Sequence, residues 1–132
     1  MQIVTPIDVE VALAGELAQR IPTASVNPAP APDNVEAGAI VIQTLGGTRQ
    51  TPVSDLFDVV AYCYASTYGE AMQMGRAVSA AIRAVQLDGP LVAGVTWTTT
   101  NANPPYDDPD PDRKTLRRVT VRATVAARGT AL

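Results

Sequence analysis

The chain has 132 residues, 46 % hydrophobic and 17 % charged, with a formal net charge of −3. That length suits a single domain able to bury about two thirds of its unfolded surface, and the acidic balance excludes a uniformly basic nucleic-acid binder. Histidine is absent and Cys63 is the single cysteine, which excludes Ser-His-Asp and Cys-His catalysis, imidazole zinc sites and an intrachain disulfide.

The charge is unevenly spread. Residues 1–60 hold seven acids and two bases, net −5, while residues 61–132 hold six acids and eight bases, net +2. Such polarity favours association between copies or with a partner of matched charge. The start, Met1-Gln2-Ile3-Val4-Thr5-Pro6, has neither the positive charge nor the apolar core of a secretory signal. No apolar run approaches the ~20 residues of a membrane helix, so a soluble protein made in the cytoplasm and independent of membranes is expected.

Thr5-Pro6-Ile7-Asp8 opens the first element. Thr5 is placed to cap, Pro6 suits a first helical position, and Asp8 completes a capping box. Val9, Leu13 and Leu17 follow at a spacing of four, which predicts a helix of roughly four turns ended before Pro22. Residues 22–37, with Pro28, Pro30 and Pro32 alternating with alanine and asparagine, read as an extended spacer within one domain spanning 1–132.

Ala39–Leu45 is a β-type run, and Gly46-Gly47 marks the expected turn after it. Leu56–Ala65 is almost wholly apolar, as in a central strand covered on both faces. Thr67 to Glu70 repeats the capping-box spacing, and Ala71, Met74, Val78, Ala81, Ile82 and Val85 form one stripe of a second helix. Gly75, Ala77 and Ala80 make that helix narrow, so something is expected to pack close against it. Asp88-Gly89-Pro90 ends it.

Two further β-type runs follow, Val92–Thr100 and Leu116–Val125. In the second, Val119, Val121, Ala123 and Val125 alternate with Arg118, Thr120, Arg122 and Thr124, the period of a strand with one wet face. The acidic segment between them, residues 101–114, is far longer than a hairpin needs. It is expected to project from the sheet and to serve joining rather than folding, so that a short turn in its place would leave the domain stable. The predicted class is α+β: two helices on one face of a four-stranded, mostly antiparallel sheet, made mixed by a strand-helix-strand crossover through residues 56–100, with a long projecting hairpin loop.

No catalytic constellation emerges, and neither an enzyme, a cofactor nor a metal is expected. Cys63 lies inside an apolar strand and reads as a buried structural thiol. Gly46-Gly47-Thr48 lacks the Lys-Ser or Lys-Thr of a phosphate-binding loop. Asp108, Asp110 and Asp112 have the spacing that opens a calcium loop, but Arg113 and Val119 stand where that motif needs glycine and glutamate. The bases Arg113, Lys114, Arg117, Arg118, Arg122 and Arg128 lack the interleaved aromatic platform of a nucleic-acid sheet, and read as a solvated or subunit-facing surface.

The order of residues resembles the tail-terminator, or tail-completion, proteins of long-tailed bacteriophages. The likeness rests on the short helix from Ile7-Asp8 with Leu13 and Leu17, and on the hairpin Gly46-Gly47-Thr48-Arg49 followed by Asp55 and the strand ending Tyr62-Cys63-Tyr64-Ala65. It rests also on a helix with Glu70-Ala71 and Ala77-Val78, and on an aromatic-bearing strand, a Pro-Asp-rich loop and a closing strand at Arg118–Val121. It spans residues 7–128, and it departs at Asp112-Arg113-Lys114, where the family often carries a glycine. The resemblance implies a hexameric ring in the virion, at the head-proximal end of the tail tube. Such a ring stops tube growth, docks to the head connector, and lets DNA pass through its lumen unread. Arg49, Asp55, Tyr106, Asp107, Asp108, Asp110, Asp112, Arg117, Arg118 and Arg122 are the expected subunit or partner contacts. A neighbouring connector or head-closure protein, and a free-standing α+β ligand-binding module, are the alternatives.

Overall fold

The computed structural model describes residues 3–131; Met1, Gln2 and Leu132, counted within the expected single domain, lie outside the described residues. In chain order the elements are β1 (Val4–Thr5), α1 (Val9–Arg20), β2 (Ser25–Pro28), β3 (Ala39–Thr51), β4 (Ser54–Ala65) and α2 (Tyr68–Asp88). They are followed by β5 (Trp97–Ala102), β6 (Tyr106–Asp107), β7 (Arg117–Arg128) and β8 (Thr130–Ala131). The α+β class is as expected, but the main sheet has six strands rather than four, in the order β2-β3-β4-β7-β5 with β6 also on β7. A separate ribbon pairs β1 with β8.

The sheet is mixed. β2 runs parallel to β3, whereas β4 and β5 both run antiparallel to β7 and are therefore parallel to each other. The β4–α2–β5 unit thus joins two parallel strands with β7 inserted between them. One face of the sheet carries Ile40, Ile42, Val59, Ala61, Cys63, Val119, Val121 and Val125, packed in one cluster with Leu13 and Leu17 of α1 and Val78 and Ile82 of α2. Period-two strands meeting period-3.6 helices give this two-layer core.

Local chemistry corrects several expectations. Asp8, not Thr5, caps α1, its carboxylate accepting from the Val11 amide at 3.3 Å; Thr5 is taken by the ribbon with Thr130. The spacer of 22–37 contains β2, because an extended chain entering a sheet edge can meet its hydrogen bonds there. Gly46-Gly47 is not the hairpin turn. β3 continues to Thr51, and Gly46 (φ +135°) sits at a register shift between Thr44 and Gly46, a β-bulge in which glycine accepts a backbone other residues avoid. Thr67 caps α2 as predicted, accepting from the Glu70 amide at 3.2 Å.

The close packing expected of α2 occurs at Gly75 alone. A Cβ there would lie 2.5 Å from Pro105 and 3.1 Å from Val119, whereas Ala77 and Ala80 are exposed. A buried carboxylate secures the other end of the layer. Glu16 is fully buried, accepts from the Leu91 and Val92 amides at 2.6 and 3.1 Å, and pairs with Arg20 at 3.1 Å. Arg20 in turn donates to the Gly89 carbonyl at 2.7 Å. The irregular α2–β5 connection is thereby fastened to α1.

Two outcomes follow from this packing. Ile82→Asp would strand a carboxylate between α2 and the sheet at a cost of several kcal/mol, against a total domain stability of ~5–15 kcal/mol, so the variant is expected to be insoluble or unfolded; soluble protein with an unchanged melting temperature would contradict the two-layer core. Gly75→Ala forces α2 away from Pro105 and should destabilise by about 1–3 kcal/mol in denaturant titration, with an unaltered midpoint arguing against the close approach.

Candidate functional site

Among the described residues, no helix covers the face of the sheet away from α1 and α2. Tyr62 and Tyr64 on β4, and Arg118 and Thr120 on β7, alternate with the core residues of those strands and so point to this second face. Tyr62 is in register with Thr120 and Tyr64 with Arg118. A small cluster of Ala39, Val41 and Tyr64 lies there, flanked by Ala29, Ala31, Val35 and Leu116. Irregular chain therefore does the covering, and its polar groups need partners.

The acidic segment supplies them, and the expectation that it projects is overturned. Asn103 and β6 continue the edge strand along β7: the Asn103 amide donates to the Arg122 carbonyl at 2.8 Å, and Tyr106 and Asp107 pair with Thr120 and Val119. The Asp108 amide then donates to the Arg118 carbonyl at 3.1 Å. Only residues 109–116 turn, and they fold back over the second face.

Asp110 is the centre of that turn and is 7 % exposed. Its Oδ2 accepts from the Tyr64 hydroxyl at 3.1 Å and from Arg113 Nη1 at 3.0 Å, while Oδ1 accepts from the Asp112 amide at 3.0 Å. Arg118 Nη1 approaches Oδ2 to 3.7 Å. Arg118 also donates to the Asp108 carbonyl at 2.7 Å and pairs with the Asp108 carboxylate at 3.3 Å; that carboxylate accepts from the Thr120 hydroxyl at 2.7 Å. The Arg118 guanidinium lies 4.6 Å from the centre of the Tyr62 ring and that of Arg113 lies 5.8 Å from the Tyr64 ring, both within cation–π range.

Burial by itself would raise the Asp110 carboxyl. The Asp112 amide, Arg113, the Tyr64 hydroxyl and Arg118 outweigh it and hold the carboxyl below its ordinary value. Burial raises the Tyr64 hydroxyl, with Arg118 opposing and Asp110 reinforcing the rise. Burial also pushes the Cys63 thiol up to about 12, the state of an inert structural cysteine.

The ten expected contact residues fall into two groups. Asp108, Asp110 and Arg118 meet in the network just described, with Tyr106, Asp107, Asp112 and Arg117 exposed around it and Arg122 exposed further along β7. Arg49 and Asp55 are elsewhere, paired in register across the β3–β4 hairpin without an ion pair. Asp55 lies beside Ala127 of β7 and Tyr106 beside Thr120, which separates the groups by roughly 24 Å at 3.4 Å per residue. The alternate aspartates do not converge as a calcium loop would require. Their carboxylates face Arg113, Arg118, Tyr64 and Thr120, and among the described residues no cluster of three metal-binding side chains forms.

Several residues that matter were not singled out from the sequence. Tyr64 reads as one apolar residue among many until Asp110 is seen against its hydroxyl. Glu10 accepts from the Thr44 amide at 2.7 Å, just beyond the last β2–β3 pair, Pro28 with Ile42. Gln86 exchanges two bonds with Thr100 at 3.0 Å each, and Arg83 donates twice to the Ala102 carbonyl at 3.0 and 2.6 Å. These three side chains satisfy backbone at the two sheet edges. Their one sequence signal is a polar residue next to a helix stripe, which is too common to act on.

A cleft of about 490 Å³ remains beside the network, between the covering turn and the β2–β3 connection, with Tyr62, Tyr64, Gln43 and Glu10 among its lining. No helix among the described residues is long and apolar enough to cross a membrane. The chain matches no family model, and no curated protein shows significant similarity to it.

The network has a measurable consequence. A carboxyl depressed by folding contributes stability that is present above its unfolded pKa of about 4 and is lost as the pH falls through the lower folded value. Asp110→Ala would leave the Tyr64 hydroxyl without its acceptor and Arg113 and Arg118 with their bonds to Pro32 and Asp108, and should cost about 1–3 kcal/mol at neutral pH. The difference from wild type should shrink as the pH falls below about 4. Thermal melts across pH 2–7 check this, and an equally stable variant at neutral pH would mean the turn does not hold the sheet.

Proposed function

We propose that this chain is a structural protein of a long-tailed bacteriophage particle, a tail terminator that closes as a ring on the head-proximal end of the tail tube and joins the tail to the head connector. The ring is hexameric in this reading, DNA passes through its lumen without being read, and the protein has no catalytic role. The observation that carries the reading is how the fold sorts charge. The acid-rich residues 1–60 supply α1, β2, β3 and the first part of β4, at one side of the sheet order. The residues with a basic excess, 61–132, supply α2, β5 and β7 at the other. Asp8, Asp33 and Glu36 are exposed on the first side, and Arg76 and Arg122 on the second.

A charge difference across a single subunit suits head-to-tail contact, with the acidic side of one copy against the basic side of the next. Repeated head-to-tail contact either closes into a ring or grows into a filament, and a terminator has to close. The exposed residues Tyr106, Asp107, Asp112 and Arg117 form a border around the buried network, so the network gives that border a fixed shape for the tube or the connector to meet.

One observation favours a second reading, the ligand-binding module: the cleft over Tyr62 and Tyr64 has room for a small molecule. Apart from Asp112, its charged lining is already engaged, with Asp110 on Arg113, Arg118 and Tyr64, and Glu10 on Thr44. A ligand would have to displace those bonds, which makes this the weaker reading.

Light scattering and negative-stain imaging of the purified protein, with and without tail tubes, test the proposal. Rings are expected alone or on tube ends. Arg76→Glu combined with Arg122→Glu should deplete them, as should about 1 M salt, where the screening length falls to roughly 3 Å. A strictly monomeric protein that also fails to bind tube ends sinks the terminator reading, and copies found one step nearer the head in assembled particles would make it a connector instead.

A further inference from the structure

Parts of the sheet's edge backbone are closed by side chains of the helices and by β2, and one long stretch is left bare. On the β5 side, Gln86 accepts from the Thr100 amide and Arg83 donates to the Ala102 carbonyl, so helix α2 blocks the outer edge from Thr100 to Ala102. On the β3 side, β2 pairs with Ala39 to Ile42, the Ala29 amide donates to the Ile42 carbonyl at 2.8 Å, and Glu10 takes the Thr44 amide. Beyond Thr44, β3 runs on to Thr51 with β4 on its inner side, and among the described residues no strand or side chain covers its outer side. Leu45 to Thr51 are all exposed.

Natural edges of this length are usually blunted by proline, by several charges or by bulges; here the register shifts lie at the two ends of the bare stretch, between Thr44 and Gly46 and between Arg49 and Thr51, with Gly46 to Arg49 in regular register between them. This one has no proline and a single charge, Arg49, whose register partner across the hairpin is Asp55. Gly46 and Gly47 leave two consecutive positions without side chains, so the backbone there is open to another backbone. Glycine is also required at both. Gly46 has a positive φ, and a Cβ on Gly47 would lie 2.5 Å from the Leu56 carbonyl oxygen.

We infer that the outer edge of β3 pairs with the same edge of a second copy of this chain, antiparallel and centred on Thr48, making one continuous sheet across two molecules. The segment is complementary to itself in that register. Thr48 meets Thr48, a favourable cross-strand pair. Each long side chain meets a glycine: Arg49 lies opposite Gly47, and Gln50 opposite Gly46. The two arginines then stand on the diagonal, about 7–8 Å apart and in solvent, instead of face to face. Shifting the register by two residues toward Arg49 would place like charges opposite each other, and one toward Gly47 would run Gln50 against Thr44, whose amide Glu10 already takes. The contact goes beyond the ring reading and does not rest on it: it is a two-fold, self-matching interface, whereas a ring is built from head-to-tail ones.

Cysteine cross-linking of the full chain tests the register directly. Cys63 is buried with its thiol held protonated, so an added cysteine is the reactive one. Thr48→Cys places two thiols opposite each other across the two-fold, with Cβ atoms about 4.5–5.5 Å apart, the near end of which a disulfide spans with a small strand adjustment. Thr51→Cys places them roughly 20 Å apart. Mild oxidation should convert the first variant to a species of twice the 13.8 kDa chain mass and leave the second monomeric on a non-reducing gel. Wild-type protein should show slowed amide exchange at residues 46–50 as its concentration rises. No cross-link in either variant, or equal cross-linking in both, overturns the inference. Rings without the Thr48→Cys cross-link would sink this contact and leave the terminator reading standing; cross-linked pairs that never form rings or bind tubes would do the reverse.

Discussion

A sheet with helices on one face only must hide its other face by some other means, and in this protein the Asp110 carboxylate is what makes that possible. Residues 109–116 have almost no apolar side chains to bury, and a segment of that kind has little reason to lie on a sheet. Asp110 changes this by collecting the Tyr64 hydroxyl, Arg113, Arg118 and the Asp112 amide on two oxygens. Charge-assisted bonds of this kind are stronger than neutral ones, and they also satisfy the turn's own backbone. Thr120 is buried beneath the turn with its hydroxyl on Asp108, which would be costly without that acceptor. The segment thus belongs to the fold, and shortening it to a tight turn would expose the Tyr64 and Val41 cluster.

β7 is where these constraints meet. It pairs with β4 along its whole length and with β5 and β6 on its other side, so it carries both the helix-facing core and the Arg118 and Thr120 side of the network. At Arg118 and Thr120 its alternation of valine with arginine and threonine serves a second, polar covered face, while Arg122 keeps the wet face that the pattern alone suggests. The same logic applies to carboxylates deeper in the fold. Glu16 and Glu10 sit on a helix whose stripe is apolar, yet each ends on backbone amides that lack a strand partner. Polar side chains on the helices thus substitute for missing strands at Thr44, at Thr100 and Ala102, and at the α2–β5 connection.

For assembly, the significance of the architecture is that it separates rigid from available surface. Part of the edge backbone is closed by β2, Glu10, Gln86 and Arg83 while the outer edge of β3 from Leu45 to Thr51 stays open, and the charges not consumed in the network stay exposed with opposite excess on the two sides. That combination suits the proposed role, since a contact surface must be fixed in shape before it meets its partner if the ordering cost is not to fall on binding.

The period-2 and period-3.6 patterns made the elements legible. Leu13 and Leu17, the stripe from Ala71 to Val85, and the alternation from Val119 to Val125 each depend on neighbours a few residues away, and each landed in the core as the spacing required. Thr67 as a cap is legible for the same reason. What could not be read depends on residues distant along the chain. Tyr64 and Asp110 are 46 residues apart and Glu16 and Leu91 are 75 apart, so nothing local distinguishes them from an ordinary strand aromatic, a loop acid and a surface glutamate. Gly46-Gly47 looked like a turn because glycine has the same freedom in a bulge, and only the pairing with β4 decides between them. The acidic segment looked like an arm because its polarity says that it buries little by itself. Whether it lies against the sheet is decided by partners on two other strands, which the fold alone brings within reach.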